Sequence, residues 1–214
     1  MGLLDRLAPR KSESEPPGLQ PASDSEPLFS TKAFRKFLSA LTARESPVLI
    51  DLGPVVGSNI SFFGEQLGCK IFVEDLFADL DRHVRAGTIE RFTEGLRHRF
   101  SQEPGTVDGI LCWDLIDYLD RPSAHALAEQ LTRVLRPEGA LLGFFATSQT
   151  HDSRYTKYVI ADEGNLRHRS YPAARSRQTI LLNRDIIKLF PGLRVSDSFL
   201  LQNNLREILF RKPA

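Results

Sequence analysis

The chain has 214 residues, with 28 Lys and Arg set against 27 Asp and Glu for a formal net charge of +1. That length suits one sizeable α/β core and is too short for two large domains, and the even charge balance excludes the broad basic field behind non-specific nucleic-acid binding. Cys69 and Cys112 stand far apart with no CxxC or Cys/His pairing, which excludes a zinc ribbon and a disulfide-stapled secreted scaffold and points to a reduced, cytoplasmic protein. No apolar run approaches the roughly 20 residues that span a bilayer, and the opening Met1-Gly2-Leu3-Leu4-Asp5-Arg6 carries charge where a secretory signal needs apolar residues.

Residues 1–27 read as a disordered tail: Pro9, Pro16, Pro17, Pro21 and Pro27 fall among serines, and little that is apolar follows Leu7. Residues 28–214 read as one domain. Ser30 is the expected cap of a helix over 31–43, because Ala33, Phe34, Phe37, Leu38 and Leu41 recur at spacings of three and four. A continuous apolar run over 48–52 then reads as a strand covered on both faces. A turn over 53–57, a helix over 58–67 closed by Gly68, and a second strand over 70–73 follow. Residues 77–100 are expected to be helical in two pieces broken near Gly87, with Thr88 as a cap. A third strand covers 107–113, Pro122 opens a helix to about 135, and a turn over 136–139 leads into a fourth strand over 140–146.

A basic insertion at about 150–178 comes next, holding Arg154, Lys157, Arg167, Arg169 and Arg175 and folding as a hairpin about Asp162-Glu163-Gly164-Asn165. Asn183 is the expected cap of a last helix to 190, before closing strands over 193–201 and 205–210. The alternation gives an α/β fold: a doubly wound, mostly parallel sheet with a terminal antiparallel strand and helices on both faces. Ligands of such sheets bind at the carboxyl ends of the strands, where strand order reverses, so residues 53–57 are the first candidate site.

Three ligand classes use such loops. A phosphate loop wants its second glycine at position 58 with a lysine after it, and Ser58 stands there with none. A dinucleotide loop wants glycine at 55 and 58, where Val55 and Ser58 stand. A nucleoside without phosphates remains, held by an acid before the loop and another after the second strand.

On these residues the chain resembles the class I S-adenosylmethionine-dependent methyltransferases, whose loop runs acid-x-Gly-x-Gly-x-Gly. Asp51, Gly53 and Gly57 match, and Val55 replaces the middle glycine. Leu135-Arg136-Pro137-Glu138-Gly139 is similar to the family's turn into its fifth strand. The resemblance implies S-adenosyl-L-methionine as cofactor, with Asp51, Gly53, Pro54 and Gly57 around its methionine part, Glu74 with Asp75 at the ribose, and Trp113 and Asp114 toward the reactive end. It implies methyl transfer to a small-molecule acceptor. The interval from Glu74 to Asp108 is too short for the family's third strand, which is missing or replaced by the helix around 89–100.

Alternatives stand beside these roles. Asp51 could equally cap the loop's amides, Trp113 could be core, and Asp117 could cap the helix at Pro122. His125 belongs on a helix surface. His151, Arg154, Tyr155 and Tyr158 are the candidate substrate contacts, since their segment follows the carboxyl end of a strand. No metal-ligand constellation and no assignable base is present; nucleic acid is disfavoured and oligomeric state is not specified. The competing function is a catalytically inactive, methyltransferase-like binding or scaffold protein.

Overall fold

The computed structural model describes residues 28–149, 152–178, 180–201 and 203–214. The expected tail and His151 lie outside the described residues.

Six strands form the main sheet in the order β3-β2-β4-β5-β9-β8. β2 (Val48–Asp51), β3 (Lys70–Val73), β4 (Val107–Trp113) and β5 (Leu135–Ala146) run parallel, and β9 (Leu205–Arg211) lies antiparallel between β5 and β8 (Arg194–Leu200). Alternate side chains sort to opposite faces, as a strand's two-residue period requires. Ile50, Ile110, Cys112 and Leu141 pack with α3 (Leu76–Arg85), α4 (Ile89–Leu96), α5 (Arg121–Val134) and α6 (Asn183–Leu189). Leu49, Leu111, Trp113 and Leu142 pack with α1 (Ala33–Thr42) and Phe63 on the other face. The helix α2 (Gly57–Ser61), which runs into a π-helical turn over Phe62–Gln66, leaves β2 on the α1 side. The chain leaves β4 on the opposite side, so strand order reverses between β2 and β4 and their carboxyl ends, Asp51 and Trp113, flank a crevice.

The doubly wound architecture and the absent third strand are as expected: between β3 and β4 the chain forms only helices and loops, and β3 is the sheet edge. A second sheet was not foreseen. β1 (Leu28–Ser30) pairs antiparallel with β7 (Asn165–Pro172), which pairs with β6 (Arg154–Asp162), so the basic hairpin carries a third strand and lies over the α1 face.

Several local expectations are corrected. Ser30 belongs to β1, and the first amides of α1 are satisfied from elsewhere: Lys32 N and Ala33 N donate to the buried Glu207 carboxylate of β9 at 2.9 and 3.0 Å, and Phe34 N donates to Thr31 Oγ1. That is a negative group at the positive end of a helix. The cap of α5 is Asp120, which accepts from Ser123 N at 2.9 Å, and not Asp117. Thr88 does occupy the cap position of α4, though without a side-chain capping bond, whereas Asn183 is the first residue of α6 with Leu182 in the cap position. The turn over 136–139 is absorbed into β5 as a bulge, where pairing jumps from Val107↔Leu135 to Gly109↔Ala140 and Glu138 takes a φ of 64°.

α1 crosses β4 at Gly109, where an added Cβ would stand 2.9 Å from both Leu41 Cδ1 and Phe37 Cζ. Neither ring nor leucine can retreat, because Phe37 and Leu41 are buried in the core. Gly109→Ala should therefore overpack this contact, cost about 1–3 kcal/mol, and lower the thermal unfolding midpoint by several degrees; an unchanged midpoint would show that α1 rides loosely on the sheet.

Candidate functional site

At the tip of β2, Asp51 is buried and its Oδ1 accepts two hydrogen bonds, from Gly53 N at 2.9 Å and from Trp113 Nε1 at 2.6 Å. Burial pushes its pKa up to about 6 against the lowering effect of those two donors, with the Asp75 charge adding to the rise. Asp51 thus joins the loop to the end of β4 through one oxygen. Trp113 sets the Cδ1–Nε1 edge of its indole against the loop: a Cβ on Gly53 would lie 2.7 Å from Trp113 Cδ1, so that contact requires glycine at 53. Trp113 has a φ of 49°, a left-handed conformation that is costly for a bulky residue.

The indole is backed by the hairpin. Trp113 stacks on Tyr158 of β6 with centroids 5.1 Å apart and planes 6° from parallel, Phe144 meets both rings edge-on, and His168 and Phe29 continue the column outward. Asn59 fixes this arrangement. Its Nδ2 donates to Tyr158 O at 2.8 Å and its Oδ1 accepts from Ile160 N at 2.9 Å, so a side chain of α2 pairs with β6 as a strand edge would. Asn59 is 2% exposed. Nothing in the sequence marked it beyond a polar residue in the first turn after the loop.

The other expected cofactor residues are placed around the same crevice. Glu74 follows β3, and its Oε2 accepts from Arg99 Nε at 2.8 Å; Arg99 also reaches Asp79 at 2.5 Å. Asp75 caps α3 by accepting from Ala78 N at 2.9 Å. Pro54 is buried in the loop, Gly57 opens α2, and Val55 points outward, 54% exposed. Asp114 is fully buried and paired with Arg177 at 2.9 Å, whose guanidinium also lies 5.6 Å from the Tyr118 ring centroid. Asp117 accepts from Ala146 N at 2.7 Å, and its pKa is pushed up to about 8 by burial and by the Asp114 charge, against Arg177. The second oxygens of Asp114 and Asp117 are buried and find no donor among the described residues.

Of the expected substrate contacts, Tyr158 is buried 3% exposed inside the ring column, while Arg154 is exposed and bonded to Ser170. Tyr155 is half-buried between Phe77 and Tyr171, stacked at 5.2 and 5.7 Å. Tyr155 lines one side of an open groove of 680 Å³, and α3 residues from Phe77 to Arg85 line the other, beginning at the Asp75 cap. His125 is exposed on α5, as expected. Among the described residues no group of His, Cys, Asp and Glu is placed to hold a metal ion, and no helix is long and apolar enough to cross a membrane.

No protein-family model and no curated protein matches this sequence. Among solved structures, the fold is similar to 1,6-didemethyltoxoflavin-N1-methyltransferase of Burkholderia thailandensis, solved with 1,6-didemethyltoxoflavin and S-adenosylhomocysteine bound. The two are 15% identical with a TM-score of 0.51, over 85% of this chain and 79% of that one. Two further structures align at lower scores. The PH0226 protein of Pyrococcus horikoshii is 16% identical, with a TM-score of 0.48 over 85% of this chain and 92% of that one. A SAM-dependent methyltransferase of Aquifex aeolicus is 14% identical, with a TM-score of 0.47 over 83% and 88%. The chain has the Rossmann-like fold of the class I methyltransferases.

Two measurements test the site as built. Asn59→Ala leaves the Ile160 amide and the Tyr158 carbonyl buried and unpaired, at about 1–3 kcal/mol each, and should raise amide exchange across β6 before the rest of the sheet; uniform exchange would show that the clamp is dispensable. The second is pH dependence. Asp51 and Asp117 titrate in the folded chain near 6 and near 8, above their ordinary unfolded value of about 3.9. The folded state therefore holds protons that the unfolded state has released, and stability falls as pH rises from about 4 to about 8. Asp117→Asn, whose amide oxygen can still accept from Ala146 N, should flatten that fall above pH 6, as read from thermal unfolding midpoints.

Proposed function

We propose that the chain binds S-adenosyl-L-methionine at the loop after β2 and transfers its methyl group to a small acceptor. The observation that carries this reading is the position of a carboxylate and a side-chain-free loop residue, Asp51 and Gly53, at the point where strand order reverses, with Glu74 and Asp75 at the next strand tip. A carboxylate can hold an ammonium or a ribose hydroxyl, and a glycine lets the main chain approach a ligand. The toxoflavin methyltransferase holds S-adenosylhomocysteine in the same fold.

The residues suit the cofactor in kind, but the space before Gly53 is filled by the Trp113 indole. Binding requires that indole to swing off the loop and the Trp113–Asp51 bond to break. Bound, the cofactor would supply an already activated methyl group. The chain's own work would then be to free Asp51, exclude water with the hairpin, and hold the acceptor aligned, where positioning alone is worth up to about 7–11 kcal/mol.

A second reading, a catalytically inactive binding or scaffold protein, is favoured by the same indole and by the Glu74–Arg99 pair, since every acid around the crevice already has an internal partner.

Calorimetric titration with S-adenosylhomocysteine separates the two. On the methyl-transfer reading the wild type binds and the emission of Trp113, the single tryptophan, shifts. Asp51→Ala should then weaken binding by about tenfold or more, and Trp113→Ala should tighten it because the crevice no longer has to be emptied. Circular dichroism checks that both variants fold. No heat at millimolar ligand for either the wild type or Trp113→Ala would leave the binding-protein reading.

A further inference from the structure

A cavity lies between α5 and α6, away from the crevice. From α5 it is lined by Arg121, Ala124 and His125, which stand three and four positions apart and so share one face of that helix. From α6 it is lined by Asp185, Lys188 and Leu189 at the same spacings. The turn between β4 and α5 supplies Ile116 and Leu119, and the segment before α6 supplies Ile180 and Leu181. Residues three apart eclipse in a 3₁₀ turn, so Ile116 and Leu119 leave the turn over Leu115–Tyr118 on a different face from Asp114 and Asp117, which pair with Arg177. The cavity is therefore separate from the loop after β2.

Its lining sorts by polarity. Ile116, Leu119, Ala124 and Leu189 are buried, and Ile180 and Leu181 are half-buried beside them. With only a methyl group at 124, the facing helices leave a space of 330 Å³, within the range of small-molecule sites. At about 30 Å³ per water-sized group, that space holds a ligand of roughly ten non-hydrogen atoms. The polar side chains stand at the rim. Arg121, His125 and Lys188 are exposed and make no hydrogen bond or ion pair among the described residues. Asp185, the acid of the rim, pairs with Arg184 at 3.4 Å. An apolar interior thus meets two cations and an imidazole that have no partner within the described chain.

We propose that this cavity binds a medium-chain carboxylate, its alkyl chain against Leu119, Ala124 and Leu189 and its head group on Arg121 and Lys188. Removal of apolar surface from water holds the chain, and charge-assisted hydrogen bonds hold the head. Whatever its protonation, His125 keeps at least one N–H to donate to that head group. The same two cations repel a cationic head, and the volume limits the chain to about eight carbons. Occupation of the cavity does not depend on the methyl-transfer reading, because none of its residues belongs to the set around Asp51 and Glu74.

The test is calorimetric titration of the whole chain with octanoate, hexanoate and octylammonium. Octanoate should bind with a dissociation constant below about 1 mM. A buried methylene is worth about fourfold in affinity, so hexanoate, two methylenes shorter, should bind roughly tenfold or more weakly. Octylammonium, equal in length and opposite in charge, should give no saturable heat. The double variant Arg121→Ala/Lys188→Ala should weaken octanoate by about tenfold or more. Its melting curve should match the wild type's, because both side chains are exposed and unbonded. Ala124→Leu should fill the cavity and remove octanoate binding, with circular dichroism confirming that the chain is folded. Equal affinity for octanoate and octylammonium, unchanged affinity in the double variant or in folded Ala124→Leu, or no saturable heat at about 5 mM octanoate overturns the proposal.

Discussion

One carboxylate oxygen organises the carboxyl end of the sheet. Asp51 Oδ1 takes the amide of Gly53 and the indole N–H of Trp113, and so ties the loop after β2 to the end of β4. Without the Trp113 bond the indole would have no reason to keep a left-handed backbone, and without the indole Tyr158 would have no surface to stack on. The hairpin then rests on this stack and on Asn59, and its third strand, β1, leads directly into α1. The ring column from Phe29 to Trp113 is thus continuous from the second sheet to the crevice. A polar bond of this kind is modest in net terms and expensive to break once buried, which is why it can govern the closure of a crevice it does not itself fill.

Charge burial sets the cost of that closure. Asp51, Asp114 and Asp117 are all buried near the strand ends, and among the described residues the partly buried Arg177 is the cation that pairs with Asp114 and Asp117. Burial first raises the pKa of the Asp117 carboxyl and the neighbouring Asp114 charge adds to it, and the one guanidinium the two share only partly offsets the rise. Backbone strain at Trp113 and oxygens of Asp114 and Asp117 without a donor among the described residues coincide at the end of β4.

Periodicity made most of the architecture legible. The apolar spacing of α1, the continuous runs of β2 and β4, the break at Gly87 and the turn at Gly164 are local signals, and the elements follow them. Caps made over long sequence distances were not legible. α1 is capped by Glu207 from β9, and its own Ser30 was drawn away into a strand because β7 offered an edge to pair with. The acid-glycine loop could be read in kind but not in state, since Asp51 and Trp113 are 62 positions apart and only their juxtaposition shows the indole against the loop. Val55, the conspicuous departure in the loop, points outward, and the obstruction comes instead from the end of β4.

The two departures from the fold's usual plan have a single physical origin. Where a third strand would extend the sheet past β3, this chain turns from α4 into a loop that carries Arg99 back toward the end of β3. A strand there would cover that edge with main chain; without it, Glu74 faces open space beside a helix end. Arg99 fills the gap, pairing with both Glu74 and Asp79. The missing strand and the Glu74–Arg99 pair are therefore one structural event. Any ligand that uses Glu74 must either displace a guanidinium already shared between two acids or accept Arg99 as part of its own site. A guanidinium lying over that strand tip suits a ligand with electronegative edges better than one with hydroxyls alone, and Arg82, bonded to the same Asp79, extends that cationic surface toward the groove along α3.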